Sequence, residues 1–217
     1  MKKLIIFDLD GTLLNTISDL GAACNYALGK MGYQDHPISA YNFMVGNGVR
    51  RLLERAHPDA DSKTVDQLFV YFREFYDIHC TDTTSPYPGI PELLAELTEK
   101  GIAVAVATNK YQSAAEKIIR HFFPGIPFVA ILGQVEGRPT KPDPSILFSI
   151  LAQHPTPKAE VMMVGDSAID IETAHRACVE SIGVTWGFRP VSELRKACAV
   201  HVVSRPSEIL KYLDDPF

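Results

Sequence analysis

The chain has no paired-cysteine motif. Its four cysteines, Cys24, Cys80, Cys178 and Cys198, lie far apart without C-x-x-C spacing. That argues against a disulfide framework and predicts reduced core thiols in a cytoplasmic protein. The seven histidines include no H-E-x-x-H and no pair four residues apart, so a histidine zinc site is not expected. No apolar run approaches the roughly 20 residues of a membrane span, and the start runs straight into a charged strand motif rather than a secretory signal. Basic residues are scattered and outnumbered, 21 against 26 acidic, for a net charge of -5, which argues against a nucleic-acid surface. There is no internal repeat and no low-complexity segment. What remains, 217 residues of which 46% are hydrophobic and 22% charged, suits one moderate domain or a core with an inserted module.

What is present begins with "LIIFDLDGTLLNT", Leu4 to Thr16. Leu4, Ile5, Ile6 and Phe7 read as a strand buried on both faces, as in a parallel sheet covered by helices. Asp8 and Asp10 are two apart, so they share a face near the strand's carboxyl end. Two close carboxylates repel each other and have no packing use there, so a positive charge is expected between them.

After Thr16 the rhythm is helical. Ile17, Leu20, Cys24, Ala27 and Met31 form one apolar face, Val49, Leu52, Leu53 and Ala56 a second, and Val65, Leu68, Phe69, Phe72 and Tyr76 a third. No strand is expected between 17 and 82. From "SPYPGIPELLAELTEKG" onward, strands alternate with helices. The strands are "IAVAVAT", "FVAILG", "EVMMVGD", "SIGVTW" and "AVHVVS"; the chain ends with a helix, "PSEILKYL". The fold class expected is therefore α/β, a doubly wound parallel sheet with an inserted all-helical module. Residues 1–15 and 84–217 form the Rossmann-like core, and 16–83 the helical module. Sheets of this kind bind ligands beyond the carboxyl ends of their strands, at a switch in strand order.

Polar residues gather at those ends. The first strand delivers Asp8 and Asp10, the second ends in Thr108 and Asn109, and "VMMVGDSAID" ends in Asp166 and Ser167 with Asp170 four residues on. Lys141 stands in the proline-stiffened loop "RPTKPDPS". Taken singly, an Asp before a helix is an N-cap, Thr-Asn after a strand is turn chemistry, and Lys141 is a solvated lysine. Taken together they converge on one crevice. Clustered carboxylates attract a hard cation such as Mg²⁺, a hydroxyl and a lysine suit phosphoryl oxygens, and a carboxylate not used by metal can attack phosphorus.

"FDLDGTLLNT", "ATNK", "TKPDPS" and "GDSAIDIETA" resemble, in order, the four motifs of the haloacid dehalogenase superfamily of phosphatases, spread from residue 7 to residue 174. The resemblance implies that Asp8 is the nucleophile, Asp10 the general acid and then base, and Lys141 the stabiliser of charge. Mg²⁺ would be held by the Asp8 side chain, the Asp10 backbone carbonyl and Asp166, with Asp170 binding or orienting that shell. Thr108 and Asn109 would hold phosphate oxygens, and Thr12 would hydrogen-bond Asp10. Carbon–halogen-cleaving relatives lack an aspartate at the position of Asp10, so its presence points to phosphate esters.

"MVGNGVRRLLERA" and "SIGVTWGF" resemble bacterial phosphoglycolate phosphatases. They imply a substrate-contacting cap loop, with Asn47 and Arg50 as candidate donors to the substrate carboxylate. The partner expected is a small phosphorylated metabolite, 2-phosphoglycolate foremost, for a monomer or homodimer. A pyrophosphate, nucleotide or sugar-phosphate hydrolase, a phosphomutase and a non-catalytic phosphate sensor remain as alternatives. One departure from the family is Cys178, where relatives end a helix with glycine; a β-carbon there predicts a different helix end.

Overall fold

The computed structural model describes residues 1–214. Strand β1 (Leu4–Phe7) is buried on both faces, as its unbroken apolar run requires. Ile5 and Phe7 join one core cluster with Leu93, Leu97 and Ile118. Leu4 and Ile6 join the other, with Leu147, Ile150 and Ala174.

From β1 the chain passes through a two-residue strand, β2 (Leu14–Asn15), into α1 (Ile17–Lys30). A 3-10 turn (Ile38–Phe43), α2 (Val49–Ala56) and α3 (Ser62–His79) complete the helical insert. The apolar faces expected from the sequence are the faces that meet: Leu20, Cys24 and Ala27 pack with Val65, Leu68 and Phe72. A strand β3 (Ser85–Pro86) returns antiparallel to β2. This ribbon was not foreseen, because two-residue strands carry no periodicity. Asp19, buried in the first turn of α1, accepts hydrogen bonds from the backbone N–H groups and hydroxyls of Thr83 and Thr84. It thereby ties the entry of the insert to its exit.

The remainder alternates as expected: α4 (Ile90–Glu99), β4 (Ala103–Tyr111), α5 (Gln112–Phe122), β5 (Ala130–Gln134), α6 (Ser145–Gln153), β6 (Val161–Gly165), α7 (Ala168–Ala177), β7 (Glu180–Val184), α8 (Val191–Lys196) and β8 (His201–Val203). The strands form one parallel sheet in the order β5-β4-β1-β6-β7-β8. Strand order reverses at β1, between β4 and β6, where a ligand crevice belongs.

Four expectations need correction. The strand read as ending near Thr108 continues to Tyr111, because after an irregularity Tyr111 pairs again with Gln134. The last helix is a 3-10 helix, Pro206–Tyr212. Cys24 and Cys80 are core thiols, but Cys178 and Cys198 are exposed, each in a left-handed turn just after a helix. Finally, α7 ends in the left-handed turn in spite of the Cys178 β-carbon, at φ 57°, with Cys178 N–H donating to His175 O and Val179 N–H to Ala174 O. These closing bonds hold a conformation that a side chain disfavours by roughly 1 kcal/mol or more.

Candidate active site

The carboxyl ends of β1, β4 and β6 carry the site. Asp8 directly follows β1, and its carboxylate lies 2.8 Å from Lys141 Nζ. Lys141 is itself buried and lies 2.7 Å from Asp170 Oδ1, while its Nζ also donates to Ala107 O at 2.8 Å. The loop lysine of the sequence is thus a buried hub between two carboxylates. Burial opposes its charge, but Asp170 and Asp8 outweigh that and hold the ammonium above its ordinary pKa.

Asp166 follows β6 and is buried beside this group. It is not the N-cap of α7; Ser167 occupies that position, donating through its N–H and hydroxyl to Asp170 Oδ2 at 3.1 and 2.7 Å. Asp166 Oδ2 instead accepts from Phe188 N–H at 2.7 Å. Two glycines make room for it. A β-carbon on Gly11, whose φ is +85°, would meet Asp166 Oδ2 at 2.5 Å, and one on Gly187 would collide with Asp166 Cβ.

Carboxylate oxygens of Asp8, Asp166 and Asp170 all lie within 4.8 Å of one another. Burial, with repulsion from Asp170, pushes the Asp8 carboxyl up to about 7 against the partial relief of Lys141. Burial likewise raises Asp166 well above the carboxylate range, with Asp170 and Asp8 adding to it. Hard oxygen donors that repel one another in a buried crevice fit a divalent cation, which removes that repulsion. The Asp10 side chain is outside this trio.

The Asp10 carboxylate has partners of its own. Thr16 Oγ1 donates to its Oδ1 at 2.7 Å, and Lys110 Nζ approaches Oδ1 and Oδ2 at 2.8 and 3.1 Å. Asp8 and Asp10 therefore do not share one cation; each has a lysine. Thr12 does not bond Asp10 as expected, since its hydroxyl is buried without a partner among the described residues and Thr16, at the mouth of α1, takes that role. Neither Lys110 nor Thr16 was singled out from the sequence. The irregularity in β4 between Ala107 and Tyr111 brings Thr108, Asn109 and Lys110 to the same chamber, which strand alternation does not announce.

Asp8, Asp10, Thr108, Asn109 and Lys110 line a chamber closed on the other side by Leu20, Val45, Gly46, Gly48, Val49 and Leu52 of the insert. The Asn109 side chain is engaged there: its amide donates to Gly46 O and Lys141 O at 3.1 Å, and its Oδ1 accepts from Lys141 N–H at 2.8 Å. It clasps the insert's loop to the core, so the Thr108 hydroxyl is left as the side-chain group of this pair suited to phosphate.

The two cap residues expected to touch substrate are not brought to the chamber. Asn47 Oδ1 accepts from Arg55 at 2.7 Å. Arg50 is half-exposed on the outer side of α2, bonded to Asp66 at 2.5 Å and Ser62 at 2.9 Å. The apolar residues of α2 take its inner face, and Arg50 falls opposite them.

The family model of the haloacid dehalogenase-like hydrolases matches residues 5–184. The phosphoglycolate phosphatase of Pseudomonas fluorescens (strain Pf0-1) is 31% identical over 202 residues, covering 89% of this chain and 74% of that protein. The phosphoglycolate phosphatase of Aquifex aeolicus (strain VF5) is 30% identical over 213 residues, covering 98% and 97%. A solved structure from Lactobacillus delbrueckii subsp. bulgaricus superposes with a TM-score of 0.91 at 31% identity, covering 98% of this chain and 99% of that one. The chain belongs to the haloacid dehalogenase-like hydrolases and, by its resemblance to these relatives, to their phosphatases.

Proposed function

We propose that this hydrolase is Mg²⁺-dependent and cleaves a small phosphate monoester, 2-phosphoglycolate foremost, through a phosphorylated aspartate. The observation that carries this reading is the buried Asp8–Lys141–Asp170 group with Asp166 beside it. Asp8 attacks phosphorus and takes the phosphoryl group, while Asp10 gives a proton to the departing ester oxygen. Asp10 then takes a proton from the water that hydrolyses the aspartyl phosphate. Lys141 offsets charge on Asp8 and on the phosphoryl oxygens, and the Thr108 hydroxyl donates to one of them. Side chains of Asp8 and Asp166 and the Asp10 carbonyl would hold Mg²⁺, with Asp170 orienting Lys141 and the α7 mouth. When bound, the ion supplies the charge that lets a phosphate dianion approach a carboxylate.

Residues 16–83 serve in this reading as a cap that excludes water during the acyl-phosphate stage. The small chamber between Asp8 and the loop Val45–Gly48 favours a metabolite over a phosphoprotein. The relatives' names supply the choice of 2-phosphoglycolate. A phosphate-release panel of glycolate, hexose, nucleotide and pyrophosphate compounds, with Mg²⁺, tests it. The expected result is the highest kcat/KM for 2-phosphoglycolate. A tenfold advantage for pyrophosphate or a hexose phosphate would reassign the substrate, and no release from any compound would remove the phosphatase reading.

A further inference from the structure

The mechanism above leaves one buried ammonium of the site, among the described residues, without a chemical task. Lys110 is on β4, 4% exposed, with its Nζ against the Asp10 carboxylate and 4.8 Å from the centre of the Tyr76 ring on α3. Two of its three N–H donors suffice for Asp10, and the side chain lines the chamber. Among the described residues it is the one cation lining the chamber. Lys141 sits behind Asp8, and Arg189, which borders the crevice on the Asp166 side, lies 3.6 Å from Glu193.

We infer that Lys110 is the specificity residue that receives an anionic group carried by the leaving portion of the substrate, a carboxylate attached one carbon from the ester oxygen. This rests on the phosphatase reading of the same site. The argument is one of reach. A general acid must stand within hydrogen-bond distance of the oxygen it protonates, about 2.6–3.2 Å. Asp10 in that position puts the leaving oxygen next to the Lys110 ammonium, which is 2.8 Å from Asp10 Oδ1. In 2-phosphoglycolate the carboxylate begins two bonds beyond that oxygen, so one N–H of Lys110 can bond it while another stays on Asp10.

The walls strengthen the contact. Leu20, Val45, Val49 and Leu52 are apolar, and the Tyr76 ring covers the ammonium, so a carboxylate there meets its partner with little competing water. An uncharged leaving group offers Lys110 nothing in exchange for the water it displaces. This arrangement also takes over the task expected of Arg50 and Asn47, whose side chains are engaged elsewhere.

The test compares 2-phosphoglycolate with ethyl phosphate, which has the same reacting centre and no carboxylate, on the Mg²⁺-loaded enzyme. Lys110→Met should lower kcat/KM for 2-phosphoglycolate by roughly 10- to 100-fold more than for ethyl phosphate, the worth of a charge-assisted hydrogen bond. Lys110→Gln, which keeps donors without charge and guards against a folding failure, should shift the ratio the same way by less. In the Asp8→Asn protein, calorimetry should show Lys110→Gln weakening 2-phosphoglycolate binding while sparing inorganic phosphate. Equal loss on both esters would reduce Lys110 to a support for Asp10 and overturn the inference, as would a wild-type enzyme indifferent to the carboxylate. A wild-type enzyme that cleaves neither ester, nor any other, would instead remove the phosphatase reading on which the inference rests.

Discussion

At the amino-terminal edge of the sheet, the buried pair Lys2 and Glu180, with the half-buried His201 beside it, matches opposite charges, whereas the carboxyl edge gathers an excess of one sign. Lys2 Nζ lies 2.5 Å from Glu180, His201 Nε2 lies 2.9 Å from the same carboxylate, and the His201 ring stacks on Tyr212 at 3.9 Å. One carboxylate there faces a lysine and an imidazole. At the other edge Asp8, Asp10, Asp166 and Asp170 are met, among the described residues, by Lys110 and Lys141, while Arg189 at the rim is taken by Glu193. Both groups are buried, so burial of charge alone does not mark chemistry. The excess of one sign does, because it leaves room for a cation and, through it, an anionic substrate.

Substitutions at the two edges should therefore differ in kind. The largest effect is expected from Asp8→Asn, which replaces the nucleophile by an amide and should abolish phosphate release in protein checked for deamidation. Glu180→Gln, at the opposite edge, should leave turnover per folded molecule unchanged. Near-normal activity of Asp8→Asn would end the covalent mechanism. Next in size, Asp10→Asn should slow steady-state turnover by about 10²–10⁴-fold, the usual worth of acid–base catalysis. A loss under tenfold would assign the proton transfers to another group.

The amino-terminal edge can be broken without touching the chemistry. Lys2→Met takes the lysine from the buried Glu180 carboxylate and leaves it His201; this should cost up to about 3–5 kcal/mol in denaturant unfolding, with most of it recovered on adding Glu180→Leu. Mg²⁺ should not restore the single variant. If Mg²⁺ rescued it, the two edges would be coupled, and the contrast drawn between them would fail.

The sequence made the carboxyl edge more legible than the contacts that tune it. Asp8, Asp10, Asp166 and Asp170 stand where strands end, and Lys141 stands in a loop the prolines confine, so the order of motifs was enough to bring them together. Thr16 and Lys110 were not foreseen as partners of Asp10, since that depends on how β1, α1 and β4 meet in space; Lys110 is 100 residues from Asp10. Phe188 N–H reaches Asp166 from a loop beyond β7, which no local pattern announces. Arg50 is a different case. The positions Val49, Leu52, Leu53 and Ala56 already define the buried face of α2, and Arg50 falls outside it, so the helical period argued against a substrate role. The amino-terminal group was illegible because Lys2, Glu180 and His201 look like ordinary charged residues at strand starts.

A smaller effect sharpens the fold rather than the site. Cys178 holds the left-handed position after α7 that glycine would occupy without strain. Cys178→Gly should stabilise the protein by up to about 1 kcal/mol, raising Tm by roughly 2–4 °C with activity unchanged. An unchanged or lower Tm would mean that the β-carbon costs nothing there.

The central claim, that unbalanced carboxylates at the carboxyl edge recruit a cation, is tested most directly by calorimetric titration of Mg²⁺ into metal-stripped protein. Wild-type and Glu180→Gln proteins should bind one ion with the same affinity, and Asp166→Asn should bind none over the same range. Undiminished binding by folded Asp166→Asn, or no binding by the wild type, would contradict the account.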